Sequence, residues 1–208
     1  MTRVLLTGFE PFADATVNPS WDAVELVGAA WRGEAEVVVA RLPVEFGRAA
    51  AELLALVEVE APDVVIAVGV AEGRTGVTPE RLAINLDDAR IPDNAGSQPV
   101  DAPVVPGADA ALWSTLPVKE IVAAIRAADL PASLSLSAGS FVCNHVFYAL
   151  QHALRGRDIK SGFIHVPASP EMKLGADLLT GTVPTMTVGD IAAALAIALE
   201  VSVAHRPL

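Results

Sequence analysis

The single cysteine of this 208-residue chain, Cys143, lies where a thiol could act as a nucleophile. It follows a turn of small residues in the segment 137–145 (SAGSFVCNH), between a predicted strand and a predicted helix. At the start of a helix the unpaired backbone amides and the positive end of the helix dipole favour a thiolate. We therefore expect a pKa below the ordinary value of about 8.5, and the same amides can hold an oxyanion. A buried structural cysteine is the alternative, because free cysteine is among the most frequently buried residue types.

A thiol hydrolase also needs a base that takes up and returns a proton. The chain has four histidines: His145, His152, His165 and His205. On the predicted helix, His145 points about 200° around the axis from Cys143, and His152 lies more than two turns away. His165 instead ends a predicted strand, and the carboxyl ends of parallel strands meet at one edge of a sheet. The pattern favours His165 as the partner of Cys143, with a structural histidine as the alternative.

A third group should accept a hydrogen bond from the second imidazole nitrogen and orient the ring. The candidates are acidic: Glu72, Glu80, Asp87 and Asp88. Glu80 precedes a predicted strand and would lie at the wrong edge of a parallel sheet. We therefore expect its segment to run antiparallel or to enter from a long loop. Adjacent Asp87 and Asp88 face opposite sides of a strand, which does not suit a two-carboxylate glycosidase.

Two loops could contribute to a binding pocket. Phe9 and Phe12 lie beside prolines after the first predicted strand, where they either plug the core or line a small flat pocket. The segment 69–74 (GVAEGR) superficially resembles a phosphate-binding loop, but it lacks the lysine and the glycine spacing of the nucleotide motifs.

Short β-branched runs alternate with amphipathic stretches, which predicts one α/β domain over residues 1–208. We expect an open, twisted, mostly parallel sheet with helices on both faces. Asn18 before Pro19 predicts a helix start, and Thr187 with Asp190 predicts another. Prolines and glycines in 88–117 forbid regular elements, so this segment is an ordered excursion or a lid. The predicted strands are 4–7, 36–41, 64–69, 81–86, 133–137 and 159–166, and the predicted helices are 18–31, 46–59, 118–128, 144–154 and 189–203.

Composition excludes several classes of partner. The chain has 25 acidic and 14 basic residues, a net charge of −11 that repels nucleic acid and anionic lipid. Its longest apolar run, 191–199, is about half the ~20 residues that span a bilayer, and the first residues lack the apolar core of a signal peptide. One cysteine cannot form an internal disulfide. We expect a cytoplasmic protein that binds neither nucleic acid nor membranes.

Five blocks together closely resemble pyroglutamyl peptidase I, the pyrrolidone-carboxylate peptidase family, and appear in that family's order. They are 5–12 (LLTGFEPF) with 18–21 (NPSW), 78–85 (TPERLAIN), 87–94 (DDARIPDN), 141–145 (FVCNH) and 162–167 (GFIHVP). The resemblance implies a cytosolic, often tetrameric cysteine exopeptidase that removes N-terminal L-pyroglutamyl residues through a thioester. It implies no cofactor or metal. If tetramers form, apolar residues of the 88–117 segment are expected to lie in the contacts.

The resemblance also assigns roles to single residues. It implies that Cys143 is the nucleophile, His165 the general base and acid, and Glu80 the group that orients His165. Arg90 and the amides near Cys143 are expected at the oxyanion. Val70 and Glu72 depart from the residues that many members carry in that loop. The positions that match the lactam pocket are Phe9, Phe12, Asn18, Ile91, Phe141 and Val142.

Two other interpretations stay open. The chain could be a catalytically silent relative that only binds pyroglutamyl termini or a partner protein, with an inert thiol. It could also be a ligase or nucleoside-handling enzyme on a similar sheet, for which the 69–74 loop is the only support.

Overall fold

A five-stranded sheet forms the centre of the protein; the computed structural model describes residues 1–172 and 183–205. The strand order is β2-β1-β3-β7-β4. Four strands are parallel, and β4 is antiparallel to β7 at one edge. The strands are β1 Arg3–Phe9, β2 Glu36–Leu42, β3 Val64–Val70, β4 Thr78–Pro79, β5 Leu82–Ile84, β6 Ala111–Trp113 and β7 Lys160–Val166.

Helices cover both faces of this sheet. The helices are α1 Pro19–Ala30, α2 Arg48–Glu60, α3 Val118–Ala127, α4 Val142–Ala153 and α5 Val188–Ala204. Successive strand residues point to opposite faces, so Ile164 joins the core under α1, α3 and α5, whereas Phe163 joins the core under α2 and α4. Strand β3 (VVIAVGV) is buried on both sides, as expected for a central parallel strand. The predicted α/β fold with three layers is confirmed.

Both predicted helix starts are present. The Asn18 side chain accepts a hydrogen bond from the Ser20 amide at 3.1 Å, with Pro19 as the first helical residue. The Thr187 hydroxyl accepts from the Asp190 amide at 3.1 Å and donates to its carboxylate at 2.7 Å. No helix within 1–172 or 183–205 has the length and apolar character needed to cross a membrane.

One predicted strand is absent, and another is shorter than predicted. Residues 133–137 form no strand. The segment makes isolated parallel bridges, from Ala132 to Val77 and from Ser135 to Glu80, and the ladder between them is interrupted because Pro79 has no amide hydrogen to donate. The predicted strand 81–86 shortens to β5, which pairs with β6 outside the main sheet and packs against α4. The place at the sheet edge is taken by β4 instead.

The proline-rich segment 88–117 is ordered, and the prediction that it contains no regular element is wrong at β6. In β6 the side chain of Leu112 is buried and packs inward, whereas its neighbours Ala111 and Trp113 are exposed. The backbone of β6 pairs with β5. Earlier in the same segment, the Asp93 carboxylate accepts hydrogen bonds from the backbone amides of Phe46, Ala95 and Ser97. The excursion is thereby tied to the loop before α2.

Candidate active site

Cys143 is the second residue of α4. Phe141 caps this helix without a side-chain hydrogen bond, so the first-turn amides are not occupied by a capping side chain. The sulfur lies over the carboxyl end of β3, where a Cβ built on Gly69 would be 2.8 Å from Sγ. The absence of a side chain at Gly69 therefore makes room for the thiol.

His165 lies near the carboxyl end of β7, on the face that carries α4. In the sheet register it is paired with Gly69 on β3 and with Thr78 on β4. Its ring centre is 4.9 Å from that of Phe163, whose ring also borders Gly69. The structure thus brings His165 and the sulfur of Cys143 to the same edge and the same face, as the strand pattern predicts.

Glu80 reaches His165 from the edge of the sheet. It directly follows β4, which confirms that its segment runs antiparallel, and its amide donates to the Phe163 carbonyl at 2.9 Å. The fully buried carboxylate oxygen Oε1 is 2.8 Å from His165 Nδ1. An ionised carboxylate at this distance places the proton on Nδ1 and leaves Nε2 as the basic nitrogen.

Arg74 is a further member of this group. Its Nη2 lies 3.3 Å from Glu80 Oε1 and donates to the Ser137 carbonyl at 3.1 Å. The other carboxylate oxygen, Oε2, is buried and has no hydrogen-bond partner within the described residues. In the sequence, Arg74 belongs to the segment 69–74 that superficially resembles a phosphate-binding loop, and the composition of this loop does not indicate Glu80 as its partner.

The expectation of a lowered thiol pKa is wrong. Burial raises the pKa of Cys143 to about 12, and the negative charge of Glu80 adds to the effect. The backbone amide of the helix start acts in the opposite direction and is outweighed. The residue keeps some exposed surface, and its sulfur packs over Gly69, which the Phe163 ring also borders. The thiol is therefore neutral at pH 7 and needs a base to become nucleophilic.

A cavity of about 100 Å³ opens beside the sulfur. Five of the six residues predicted for a lactam pocket line it together with Cys143: Phe9, Phe12, Asn18, Phe141 and Val142. Four further lining residues were not predicted as pocket residues: Val44, Val70, Glu72 and Met172. Val70 and Glu72 are the two departures from the resembling family, so this loop does border the cavity.

The cavity wall is built from aromatic contacts. The Phe141 ring lies 5.3 Å from Phe12 and meets Phe46 edge to face at 5.1 Å. The Asn18 amide also donates to the Glu10 carbonyl at 2.8 Å, in addition to capping α1. Asn18 therefore holds the loop that presents Phe12 to the cavity.

Arg90 and Ile91 lie in the excursion rather than in this wall. Ile91 is 40% exposed and does not border the cavity formed by the described residues. Arg90 is exposed, and its carbonyl accepts from the Gln98 side chain at 3.1 Å. Their roles at the substrate and the oxyanion stay predictions.

The other histidine near the nucleophile is engaged elsewhere. His145 Nδ1 lies 2.8 Å from Asp87 Oδ2, and its Nε2 accepts from the Gly47 amide at 3.1 Å. Both nitrogens are thus satisfied, which agrees with the exclusion of His145 as the base. Within 1–172 and 183–205, no three histidine, cysteine or acidic side chains are grouped so that they could hold a metal.

The amino-acid sequence is similar to that of pyroglutamyl peptidases over almost its whole length. The family model described as pyroglutamyl peptidase matches residues 2–205. The pyrrolidone-carboxylate peptidase of Erwinia tasmaniensis is 50% identical over 204 residues, covering 98% of this chain and 94% of that protein. The one from Streptomyces coelicolor is 48% identical over 209 residues, covering 100% of this chain and 94% of that protein.

Solved structures agree with the sequence matches. Pyroglutamyl peptidase I of Bacillus amyloliquefaciens superposes with a TM-score of 0.92 at 43% identity, covering 99% of this chain and 98% of that one. A mutant pyrrolidone carboxyl peptidase from Pyrococcus furiosus gives a TM-score of 0.89 at 40% identity, covering 97% and 98%. The likeness in sequence and in fold extends over nearly the whole chain. This chain belongs to the pyroglutamyl peptidase family.

Proposed function

We propose that this protein is a cysteine exopeptidase that removes N-terminal L-pyroglutamyl residues from peptides. The observation that carries the proposal is the arrangement of Cys143, His165 and Glu80 at one sheet edge beside an aromatic cavity. Relatives about 50% identical over nearly the whole chain bear the name pyrrolidone-carboxylate peptidase. The three residues supply a nucleophile, a base and an orienting carboxylate, which is the set that acyl transfer requires.

The proposed reaction begins with proton transfer from the neutral thiol. His165 Nε2 takes the proton from Cys143 as the sulfur attacks the carbonyl carbon of the pyroglutamyl residue. Amides at the start of α4 hold the resulting oxyanion, with Arg90 as a further candidate. The intermediate collapses as the C–N bond breaks and His165 protonates the departing amine, which leaves a thioester. His165 then deprotonates a water molecule that attacks the thioester, releasing pyroglutamate and restoring the thiol.

The raised pKa of Cys143 determines how this step proceeds. Because burial and the charge of Glu80 raise the pKa of Cys143 to about 12, the thiol holds its proton at neutral pH until a base takes it up. Proton transfer then accompanies attack, with His165 as the general base. Glu80 keeps the other proton on Nδ1 and stabilises the imidazolium as it forms.

The cavity suits a pyroglutamyl terminus. This terminus is a flat lactam without a free amino group, so it offers no charge to a carboxylate. The rings of Phe9, Phe12 and Phe141 line the cavity and provide apolar surface for a flat ring. Glu72 is the charged residue among the described lining residues, and it is exposed. The cavity therefore offers mainly apolar contact.

Substitution of the nucleophile tests the proposal. We expect Cys143→Ala to lower release of a chromogenic amine from a pyroglutamyl anilide by at least about 10³-fold. Iodoacetamide should inactivate the unsubstituted protein by alkylating the same sulfur. His165→Ala should also lose activity, whereas His152→Ala, which removes a histidine stacked on Tyr148 elsewhere on α4, should keep it. A fully active Cys143→Ala variant would reject the mechanism, and binding of pyroglutamyl peptides without turnover would indicate the silent relative instead.

We further propose that the protein is a cytoplasmic homotetramer. An apolar groove of about 620 Å³ between α1 and α5 supports self-association, since its floor includes Val27, Trp31 and the small residues Ala192 and Ala196. In the excursion, Val100 is 70% exposed and offers a second apolar contact. A catalytic thiol without a disulfide partner suits a reducing compartment. Light scattering that returns the monomer mass would contradict the tetramer, and activity outside the cytosolic fraction of the source cells would contradict the location.

A further inference from the structure

The guanidinium of Arg74 shares a carboxylate oxygen with the proposed base. Glu80 Oε1 is 3.3 Å from Arg74 Nη2 and 2.8 Å from His165 Nδ1. We infer that Arg74 is a positioning residue that fixes the Glu80 carboxylate and sets the lower pH limit of activity. This inference rests on the proposed function, because it assigns Arg74 a part in preparing the base for that reaction.

The Glu80 carboxylate needs such a partner. It is fully buried, and its Oε2 has no hydrogen-bond partner within the described residues. A buried charge is tolerated when an opposite charge and hydrogen bonds replace the lost water. Arg74 supplies both, while its own side chain stays 31% exposed and remains partly hydrated. The guanidinium therefore stabilises the ionised form of the group that orients His165.

The positive charge of Arg74 also affects the protonation of the His165–Glu80 pair. Through their common oxygen, Arg74 Nη2 and His165 Nδ1 are at most about 6 Å apart. A positive charge at this distance disfavours an additional proton on the pair, whichever atom holds it. Removing the charge should therefore let the pair take up its proton at higher pH.

Few other titratable groups surround His165 within the described residues. Glu80 approaches from the segment after β4, Cys143 from α4 and Arg74 from the loop after β3. That loop also carries Glu72, which borders the cavity. Strand β3 contributes only Gly69 at the paired position. Arg74 is thus the one cation in contact with the pair, among these residues.

Arg74 also joins three parts of the site. Its loop forms part of the cavity wall through Val70 and Glu72. Its Nη2 donates to the Ser137 carbonyl, in the segment that leads into the helix of Cys143. A single side chain therefore links the cavity, the carboxylate and the nucleophile's segment, so its loss should disturb turnover more than binding.

The test is the pH profile of kcat/KM for a pyroglutamyl anilide. For Arg74→Gln we expect the acid limb to move to higher pH by about half to one unit, and kcat to fall about tenfold at neutral pH. Arg74→Lys keeps the charge and should keep the acid limb of the unsubstituted protein. Arg81→Gln is the matched control, because it removes the same charge from the residue next to Glu80. The guanidinium of Arg81 lies over the Trp113 ring, 5.4 Å from the ring centre, and not against the Glu80 carboxylate. We expect its profile to be unchanged.

Two results would overturn the inference: an Arg74→Gln profile with an unmoved acid limb, or a shift of the same size in Arg74→Lys. Should Arg74→Gln fail to fold, as judged from its Tm, Arg74→Met carries the same expectation. The pH dependence of Cys143 alkylation provides a second readout that needs no turnover. Absence of turnover in the unsubstituted protein would count against the proposed function. If the unsubstituted protein is active and the acid limb of Arg74→Gln does not move, this inference alone is overturned.

Discussion

Adding one methyl group at Gly69 should separate the nucleophile from its base. A Cβ at this position would lie 2.8 Å from Cys143 Sγ and 2.8 Å from Phe163 Cζ. Neither atom can remain in place, because ordinary carbon contacts begin near about 3.4 Å. Gly69 does not have a positive φ, so alanine is compatible with its backbone and the clash is the main effect of Gly69→Ala.

The structure sets the size of the effect. The sulfur and the Phe163 ring must each move by about 0.6 Å to reach ordinary contact distance, and both are packed in the core under α4. Overpacking of this kind costs about 1–3 kcal/mol of stability. A misplacement of about 1 Å between reacting groups can cost about 10²-fold in rate. We expect Gly69→Ala to lower kcat/KM by about 10- to 100-fold and to slow alkylation of Cys143.

Gly28→Ala is the matched control for this prediction. Its Cβ would meet Val39 Cγ1 at 2.7 Å, a contact as short as those at Gly69 but located on α1, against the opposite face of the sheet. Only Gly69→Ala should lose activity, because the short contact in Gly28→Ala is remote from the sulfur and from His165. If Gly69→Ala kept kcat/KM within twofold while remaining folded, the placement of the sulfur over β3 would be refuted.

Three further predictions follow from single groups at or beside the site. Burial raises the pKa of Cys143 from its ordinary value of about 8.5 to about 12, so the unfolded chain loses this proton first. The free energy of unfolding should therefore fall as the pH rises above about 8.5, and Cys143→Ala should lessen that fall in urea titrations. Glu80→Gln should lower kcat by about 10²- to 10⁴-fold, since an amide no longer holds the imidazole proton on Nδ1. Its melting temperature should fall too little to explain this loss, and an equally active variant in the anilide assay would contradict the prediction. Asn144→Ala leaves the Ile84 amide and the Leu86 carbonyl without their partners and should cost about 3 kcal/mol in urea unfolding, whereas a cost below about 0.5 kcal/mol would show that these bonds are replaced by water.

Residues at the ends of parallel strands were the easiest part of the site to predict. Strands β1, β3 and β7 are apolar runs whose carboxyl ends must meet at one edge, so the position of His165 after β7 indicated where it would lie. The helix that begins beside Cys143 adds a second marker of that edge. Glu80 was one of four acidic candidates. Its unsuitable position in a parallel sheet predicted that its segment runs antiparallel or enters from a long loop, and the first alternative is the one observed.

Contacts made by irregular segments were harder to predict. Arg74 meets Glu80 because the loop after β3 turns back over the sheet edge, and its composition does not indicate that path. Residues 133–137 have the alternation of a strand but receive only isolated bridges. The alternation of side chains predicts which of them are buried, whereas a continuous ladder also needs a backbone donor on the facing segment, and Pro79 has none.

The amino-acid sequence by itself determined the α/β layers, the edge of the sheet that carries the site and the residue types available for acyl transfer. These follow from local periodicity and helix-start chemistry, which act over a few residues. Only the tertiary structure decided the protonation state of the thiol, the partner of Glu80 and the walls of the cavity. Each of these depends on how much water and charge surrounds a group, and the packing of distant segments, such as β3 beneath Cys143, sets that environment.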